Sequence, residues 1–91
     1  MDHPDFRVSG KIFATLGYPD MGWGVILLTP DQQAEFILTN PKGFSVVKGG
    51  WGKAGATQVL LRASPRSVVH DALRMAWRNR ASRKLLAELG E

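Results

Sequence analysis

The chain has no cysteine among its 91 residues, so disulfide bonds and thiolate chemistry are excluded. It also lacks long apolar runs. Its longest aliphatic run, residues 25–28, is far shorter than the roughly 20 residues that a membrane-spanning helix needs. Neither end shows a positively charged segment followed by an apolar one, the pattern of a secretory signal. These absences predict a cytoplasmic protein of bacterial type without a membrane segment.

Acidic residues are scarce in the second half of the chain. Residues 1–41 hold two basic and five acidic side chains, a net charge of −3. Residues 42–84 hold ten basic side chains and one acid, Asp71, a net charge of +9, and Glu88 with Glu91 return the total to +4. A field of one sign attracts polyanions such as nucleic acid, or an anionic protein surface. The segregation of charge favours a partner of that kind.

Length and composition indicate one globular domain over residues 1–91. Hydrophobic residues make up 44% and charged residues 22% of the chain, which is ordinary for a globular protein. A chain of this length buries about 60–70% of the surface that its unfolded form exposes. It can therefore hold a core, but not a large internal cavity.

The clearest periodicity lies in residues 64–89. Ser64 as N-cap and Pro65 at the first helical position predict the start of a helix. Ser82 should cap a second, short helix that ends at Gly90. Apolar residues at i, i+3, i+4, i+7 and i+8 predict a stripe that is buried in the core, Trp77 included. The stripe consists of Val69, Ala72, Leu73, Ala76 and Trp77.

A second face of this helix is basic. Its cations recur at i, i+4, i+8 and i+12 and span about 18 Å at 1.5 Å per residue. An exposed helix kept only for solubility usually alternates charge signs, whereas this one sets Asp71 alone against seven cations. The row therefore favours phosphate binding over the alternative of a merely solvated face. It consists of Arg66, His70, Arg74 and Arg78, followed by Arg80, Arg83 and Lys84.

The rest of the chain predicts an antiparallel sheet of about five strands. A tight turn at Ser9-Gly10 should join the first two strands, and a second turn is expected at 17–20. A capping box that starts at Thr29 predicts a helix of about ten residues that stops before Pro41. The order β-β-β-α-β-β-α-α indicates the α+β class. Strands are expected at 6–8, 11–16, 22–28, 44–48 and 57–62.

Glycines cluster between the last two predicted strands. Gly50, Gly52 and Gly55 form the pattern G-x-G-x-x-G, which binds phosphates when a strand precedes it and a helix follows. Here a strand is expected to follow. We therefore predict no cofactor and interpret residues 49–55 as the mobile tip of a β-hairpin whose glycines adopt positive φ angles.

Trp51 stands on this segment between Lys48 and Lys53. A tryptophan between cations on an exposed tip can stack on a base or wedge into a groove of DNA. The alternative is that Trp51 folds back and covers the edge of the sheet. The sequence leaves both possibilities open.

The few histidines do not form a metal site or a catalytic site. His3 has Asp2 and Asp5 nearby in the sequence and His70 has Asp71, but neither group supplies three or four convergent ligands. Ser67, His70 and Asp71 have the composition of a catalytic triad. On one helix, however, an acid cannot orient the adjacent histidine toward a serine one turn away. The sequence predicts no metal, no cofactor and no enzymatic activity.

Five short segments occur in one order along the chain: Phe6-Arg7-Val8, Gly10-Lys11-Ile12-Phe13-Ala14, Gly49-Gly50-Trp51-Gly52, Ala76-Trp77-Arg78 and Lys84-Leu85-Leu86-Ala87. In this order and spacing the chain resembles the MmcQ/YjbR family of small bacterial proteins over nearly its whole length. The resemblance implies an α+β domain with an antiparallel sheet packed on helices, similar to frataxin-like folds and to a double-wing DNA-binding domain. It also implies DNA binding.

The chain differs from the frataxins in one respect and from the MmcQ/YjbR family in another. Frataxins bind iron through clustered acidic residues, and this chain has no such cluster. Members of the family also carry a helix before the first strand, whereas here Phe6 closely follows Met1. The face that this helix covers should then be open, which predicts self-association as a homo-oligomer or marginal stability.

Two functions remain. The first is a non-enzymatic DNA-binding protein that contacts mainly phosphates, so its binding is weak and independent of sequence. The second is a protein–protein interaction or structural module that pairs through a sheet edge or an uncovered apolar face. The residues predicted to bind nucleic acid are Lys48, Trp51, Lys53, Arg66, Arg74, Arg78, Arg80, Arg83 and Lys84.

Overall fold

The computed structural model describes residues 5–17 and 20–90 as an α+β domain. Its five strands form one antiparallel sheet in the order β1-β2-β3-β5-β4. The predicted class and the order of strands and longer helices are confirmed. The strands are β1 Asp5–Val8, β2 Lys11–Leu16, β3 Trp23–Leu27, β4 Phe44–Val46 and β5 Ala56–Leu60. The helices are α1 Pro30–Thr39, α2 Gly50–Lys53, α3 Arg66–Arg80 and α4 Arg83–Glu88, with a 3-10 turn at Leu61–Ala63.

The first hairpin forms around the predicted turn. Ser9 and Gly10 both have positive φ angles, 53° and 77°, as the tight turns that match strand twist require. Val8 pairs with Lys11 across the turn. The predicted turn at 17–20 includes residues 18 and 19, which lie outside the described residues, and so do His3 and Asp2.

A β-bulge interrupts the same hairpin. Phe6 pairs with Ala14 but Arg7 pairs with Ile12, so Phe13 has no partner on β1. An extra residue of this kind interrupts the alternation of side chains along a strand, so two adjacent residues can face the same side of the sheet. Phe13 and Ala14, although adjacent, therefore both pack on the same core.

The core lies between the sheet and helices α1 and α3. Ala72 and Ala76 of α3 are fully buried and belong to the same cluster as Ile26 and Val59 of the sheet. The rings of Phe36 in α1 and Phe44 in β4 stack with centroids 5.4 Å apart. Both long helices therefore cover the same face of the sheet.

The predicted start of α1 is confirmed in atomic detail. Thr29 Oγ1 accepts a hydrogen bond from the backbone N–H of Gln32, and Gln32 Oε1 accepts one from the N–H of Thr29. This reciprocal pair is the capping box, with Pro30 at the first helical position. The helix ends at Thr39, before Pro41, as expected.

The predicted N-cap of α3 is wrong. The helix begins at Arg66, and the hydroxyl of Ser64 donates to the carbonyl of Leu60 at 2.8 Å instead of accepting from the helix. The reason is the 3-10 turn between β5 and α3, which directs Ser64 back toward the strand. By contrast, Ser82 does cap α4, accepting from the N–H of Leu85 at 3.1 Å, and Gly90 follows that helix with a φ of 73°.

The prediction of a mobile hairpin tip at residues 49–55 is also wrong. Strands β4 and β5 do pair, but their connection contains the helical turn α2. Gly52 is buried in this turn, where a Cβ atom would overlap the carbonyl oxygen of Val47. Gly49 and Gly55 have the expected positive φ angles, whereas Gly50 and Gly52 are helical. A glycine pattern alone could not reveal this packing.

Candidate nucleic-acid interface

One end of the sheet gathers several of the predicted cations. Leu27, the last residue of β3, pairs with Ala56, the first residue of β5. The Ser9-Gly10 turn lies at the same end, because β2 begins there and runs antiparallel to β3. The segments that directly follow β3 and β4, and the segments that directly precede β2 and β5, therefore lie at this end of the sheet.

Helix α3 brings its C-terminus to this end. The backbone N–H that follows the helix, at Ser82, donates to the hydroxyl of Ser9 at 3.1 Å. The side chain of Asn79 exchanges hydrogen bonds with Gln32 at the start of α1, at 2.7 and 3.4 Å. The last turn of α3 and the start of α4 are thus fixed beside the first turn of α1.

Helix α2 is fixed to the other side of that turn. Gln33 is buried, and its amide donates to the carbonyls of Gly52 and Ala56, both at 3.0 Å. Neighbouring residues of α1 therefore contact α3 on one side and α2 on the other.

We name the resulting cluster of exposed cations the basic end. Its members come from three separate stretches of the chain, and Asp31, an exposed acid on the first turn of α1, lies at the same end of the sheet. Trp51, with 48% of its surface exposed, is on α2 within the same region. The basic end consists of Lys11, Lys48, Lys53, Arg78, Arg80, Arg83 and Lys84.

Two predicted residues lie elsewhere. Arg66 is at the opposite end of α3, 12 positions before Arg78, or about 18 Å along the helix. Arg74 lies between them, at the side of α3 that faces the first hairpin. The nine predicted residues therefore do not form one patch. Lys11, which the sequence analysis did not include, joins the cluster because of the strand register.

Trp77 is not in the centre of the core as the apolar stripe suggested. It is half-buried, whereas Ala76 beside it is fully buried. Each helical residue is rotated by about 100° from the one before, so Trp77 turns away from the sheet. The indole instead lines an open groove of about 430 Å³ between the first hairpin and α3.

This groove is the feature that the sequence analysis missed. We name it the aromatic groove. Its only sequence signal is the alternation in β1, which places Phe6 on one face of the strand. Phe13 reaches the groove because of the bulge, which depends on pairing between strands. The lining residues are Phe6, Phe13, His70, Leu73, Arg74 and Trp77.

Residues with metal-binding chemistry do not converge in the part of the chain that the structure describes. Ser67, His70 and Asp71 are all exposed on α3. Among residues 5–17 and 20–90, no three histidine, aspartate or glutamate side chains are grouped so that they could hold a metal ion. No helix in those same ranges has the length and apolar character needed to cross a membrane.

Comparison with known proteins gives no match: no protein-family model, curated protein or solved structure is significantly similar to the chain. The resemblance to the MmcQ/YjbR family therefore stays a prediction.

Proposed function

We propose that the domain is a non-enzymatic nucleic-acid-binding module that contacts the phosphates of DNA with its basic end. The observation that supports this proposal is the convergence of exposed cations from three stretches of the chain at one end of the sheet. Cations that are close in sequence can share a solvated helix face by chance. Cations brought together by the fold form a broad positive surface, which attracts a polyanion.

The expected contacts are mainly electrostatic. Arginine and lysine side chains neutralise phosphates and release counterions, so binding is salt-dependent and nearly independent of sequence. Trp51 is partly exposed beside Lys53 and can add contact with sugars or bases. In the part of the chain that the structure describes, the longest helix, α3, is packed on the sheet and is not isolated as a recognition helix for the major groove. This surface is therefore suited to weak binding of the phosphate backbone of DNA.

Fluorescence anisotropy with a labelled duplex tests the proposal. Five or six phosphate contacts should give a slope of log affinity against log salt of about −5, at 0.9 per contact. The variant Arg80→Glu/Arg83→Glu reverses two charges of the basic end and should abolish binding at 50 mM salt. The control variant Arg62→Glu/Arg66→Glu makes the same charge change at the other end of the sheet and should bind more tightly than the first. Absence of binding to duplex and single strands at micromolar concentrations refutes the proposal.

The second candidate is a protein-interaction module. It is favoured by β4, an edge strand with 47% of Val46 exposed. An exposed apolar edge strand has unpaired backbone groups, which can form hydrogen bonds with a strand of another chain. Failure of the anisotropy experiment would make this the better hypothesis, and β4 would then be the segment to mutate first.

A further inference from the structure

The aromatic groove adjoins the basic end. Trp77, in its wall, precedes Arg80 by three residues, a rise of about 4.5 Å along the helix. The first hairpin forms the opposite wall, and its turn is bonded to the start of α4 through Ser9. A polymer that is bound at the basic end can therefore place its next monomer in the groove.

The walls of the groove are aromatic. Phe6 is 43% exposed, and its ring lies 6.4 Å from that of Phe13, tilted by 47°. Trp77 lies on the α3 side. The volume, about 430 Å³, is within the range of small-molecule sites. Three rings around an open space offer faces on which a flat ring system can stack.

The charge at the groove is positive. It comes from Arg74, and none of the lining residues is acidic. The nearest carboxylate on β1, that of Asp5, accepts from Arg7 at 3.3 Å. An occupant that complements this site has flat apolar rings and a negative charge. A second copy of the chain fits poorly, because the chain carries a net charge of +4.

Nucleic acid has both properties, but only when its bases are unpaired. In a duplex each base stacks between its neighbours, so its faces are not available to protein side chains. In a single strand, bases stack on aromatic side chains while cations track the phosphates.

We infer that the aromatic groove receives an unpaired base of a single strand whose phosphates are held by Arg74 and the adjacent basic end. This inference rests on the proposed function and deepens it, since it makes single-stranded nucleic acid the favoured ligand. Phe6 is the residue that supplies the most exposed ring.

The experiment compares two labelled strands of equal length, oligothymidylate and an abasic strand with the same phosphates. Stacking of one base should make oligothymidylate bind about 5- to 150-fold more tightly at the same salt concentration. Phe6→Leu keeps an apolar side chain but removes the ring, and should reduce this ratio severalfold. Phe6→Tyr keeps the ring and should preserve the ratio. Neither variant should change binding of the abasic strand.

The outcomes separate the inference from the function on which it rests. Equal affinity for both strands, or an unchanged ratio in Phe6→Leu, overturns the base-binding groove but leaves phosphate binding in place. No binding of either strand or of duplex overturns both. A duplex of the same length completes the comparison. Its bases are paired, so Phe6→Leu should leave its affinity unchanged. A loss of duplex affinity as large as that of oligothymidylate overturns the base-binding groove.

Discussion

Replacing Gly52 with alanine should destabilise the domain, whereas replacing Gly50 in the same helical turn should not. A Cβ atom at Gly52 would overlap the carbonyl oxygen of Val47 and lie 2.7 Å from Val46 Cγ1. The carbonyl is a backbone group and cannot rotate away as a side chain would. At Gly50 a Cβ atom meets nothing within 4 Å.

The two substitutions should change the free energy of unfolding differently. Overpacking of a tight site costs about 1–3 kcal/mol. Displacing the Gly52 carbonyl also weakens its hydrogen bond from Gln33, which adds about 0.5–1.5 kcal/mol. Gly52→Ala should therefore lower the free energy of unfolding by about 1.5–4.5 kcal/mol. Gly50→Ala should leave it unchanged or raise it by up to about 1 kcal/mol, since alanine favours helix.

Urea denaturation followed by circular dichroism measures both variants under the same conditions. The m value should stay constant, so that the shift in midpoint reports stability alone. Surface substitutions usually change the free energy of unfolding by no more than about 0.5 kcal/mol. If the unfolding free energies of the two variants agree within that margin, residues 49–55 are a loose tip and the packing of α2 on α1 is refuted.

Three further predictions concern α1 and the indole of α2. Thr29→Ala should cost about 1 kcal/mol in a thermal or urea melt, while Thr29→Ser keeps the cap; equal losses would contradict the capping role. Gln33→Glu places a carboxyl against two carbonyls, which raises its pKa. Near pH 4 the neutral carboxyl still donates to one carbonyl, so the loss of stability should be small there and grow as the pH rises to 7; a loss independent of pH in urea titrations contradicts this. Trp51→Ala should weaken DNA binding with an unchanged salt slope in anisotropy.

Local signals in the sequence were sufficient for much of the fold. The capping box at Thr29 and the turn at Ser9-Gly10 each depend on residues within four positions of one another, so the chain specifies them without reference to the rest of the molecule. The apolar period of α3 similarly identifies Ala72 and Ala76 as buried.

Features that depend on distant neighbours, or in which a second local signal competes with the first, could not be predicted. Ser64 has the sequence of an N-cap, but the preceding 3-10 turn gives its hydroxyl a nearer acceptor. Helix α2 is fixed by the amide of Gln33, 19 positions before Gly52. The bulge at Phe13 depends on the pairing of two strands. The candidate site divides in the same way: sequence identifies its cations, but only the register shows that Lys11 joins them and that Arg66 does not.

The two adjacent glutamines of α1 have a further consequence for affinity. Gln32 is bonded to α3 and Gln33 to α2, so one helical turn sets the spacing between two cationic segments. A flexible linker between such segments would lose conformational entropy each time both engaged one ligand. Here that ordering is complete before binding begins. Once one segment holds a phosphate, the other meets the neighbouring ones at a high effective concentration, so two weak contacts can act as a single stronger one.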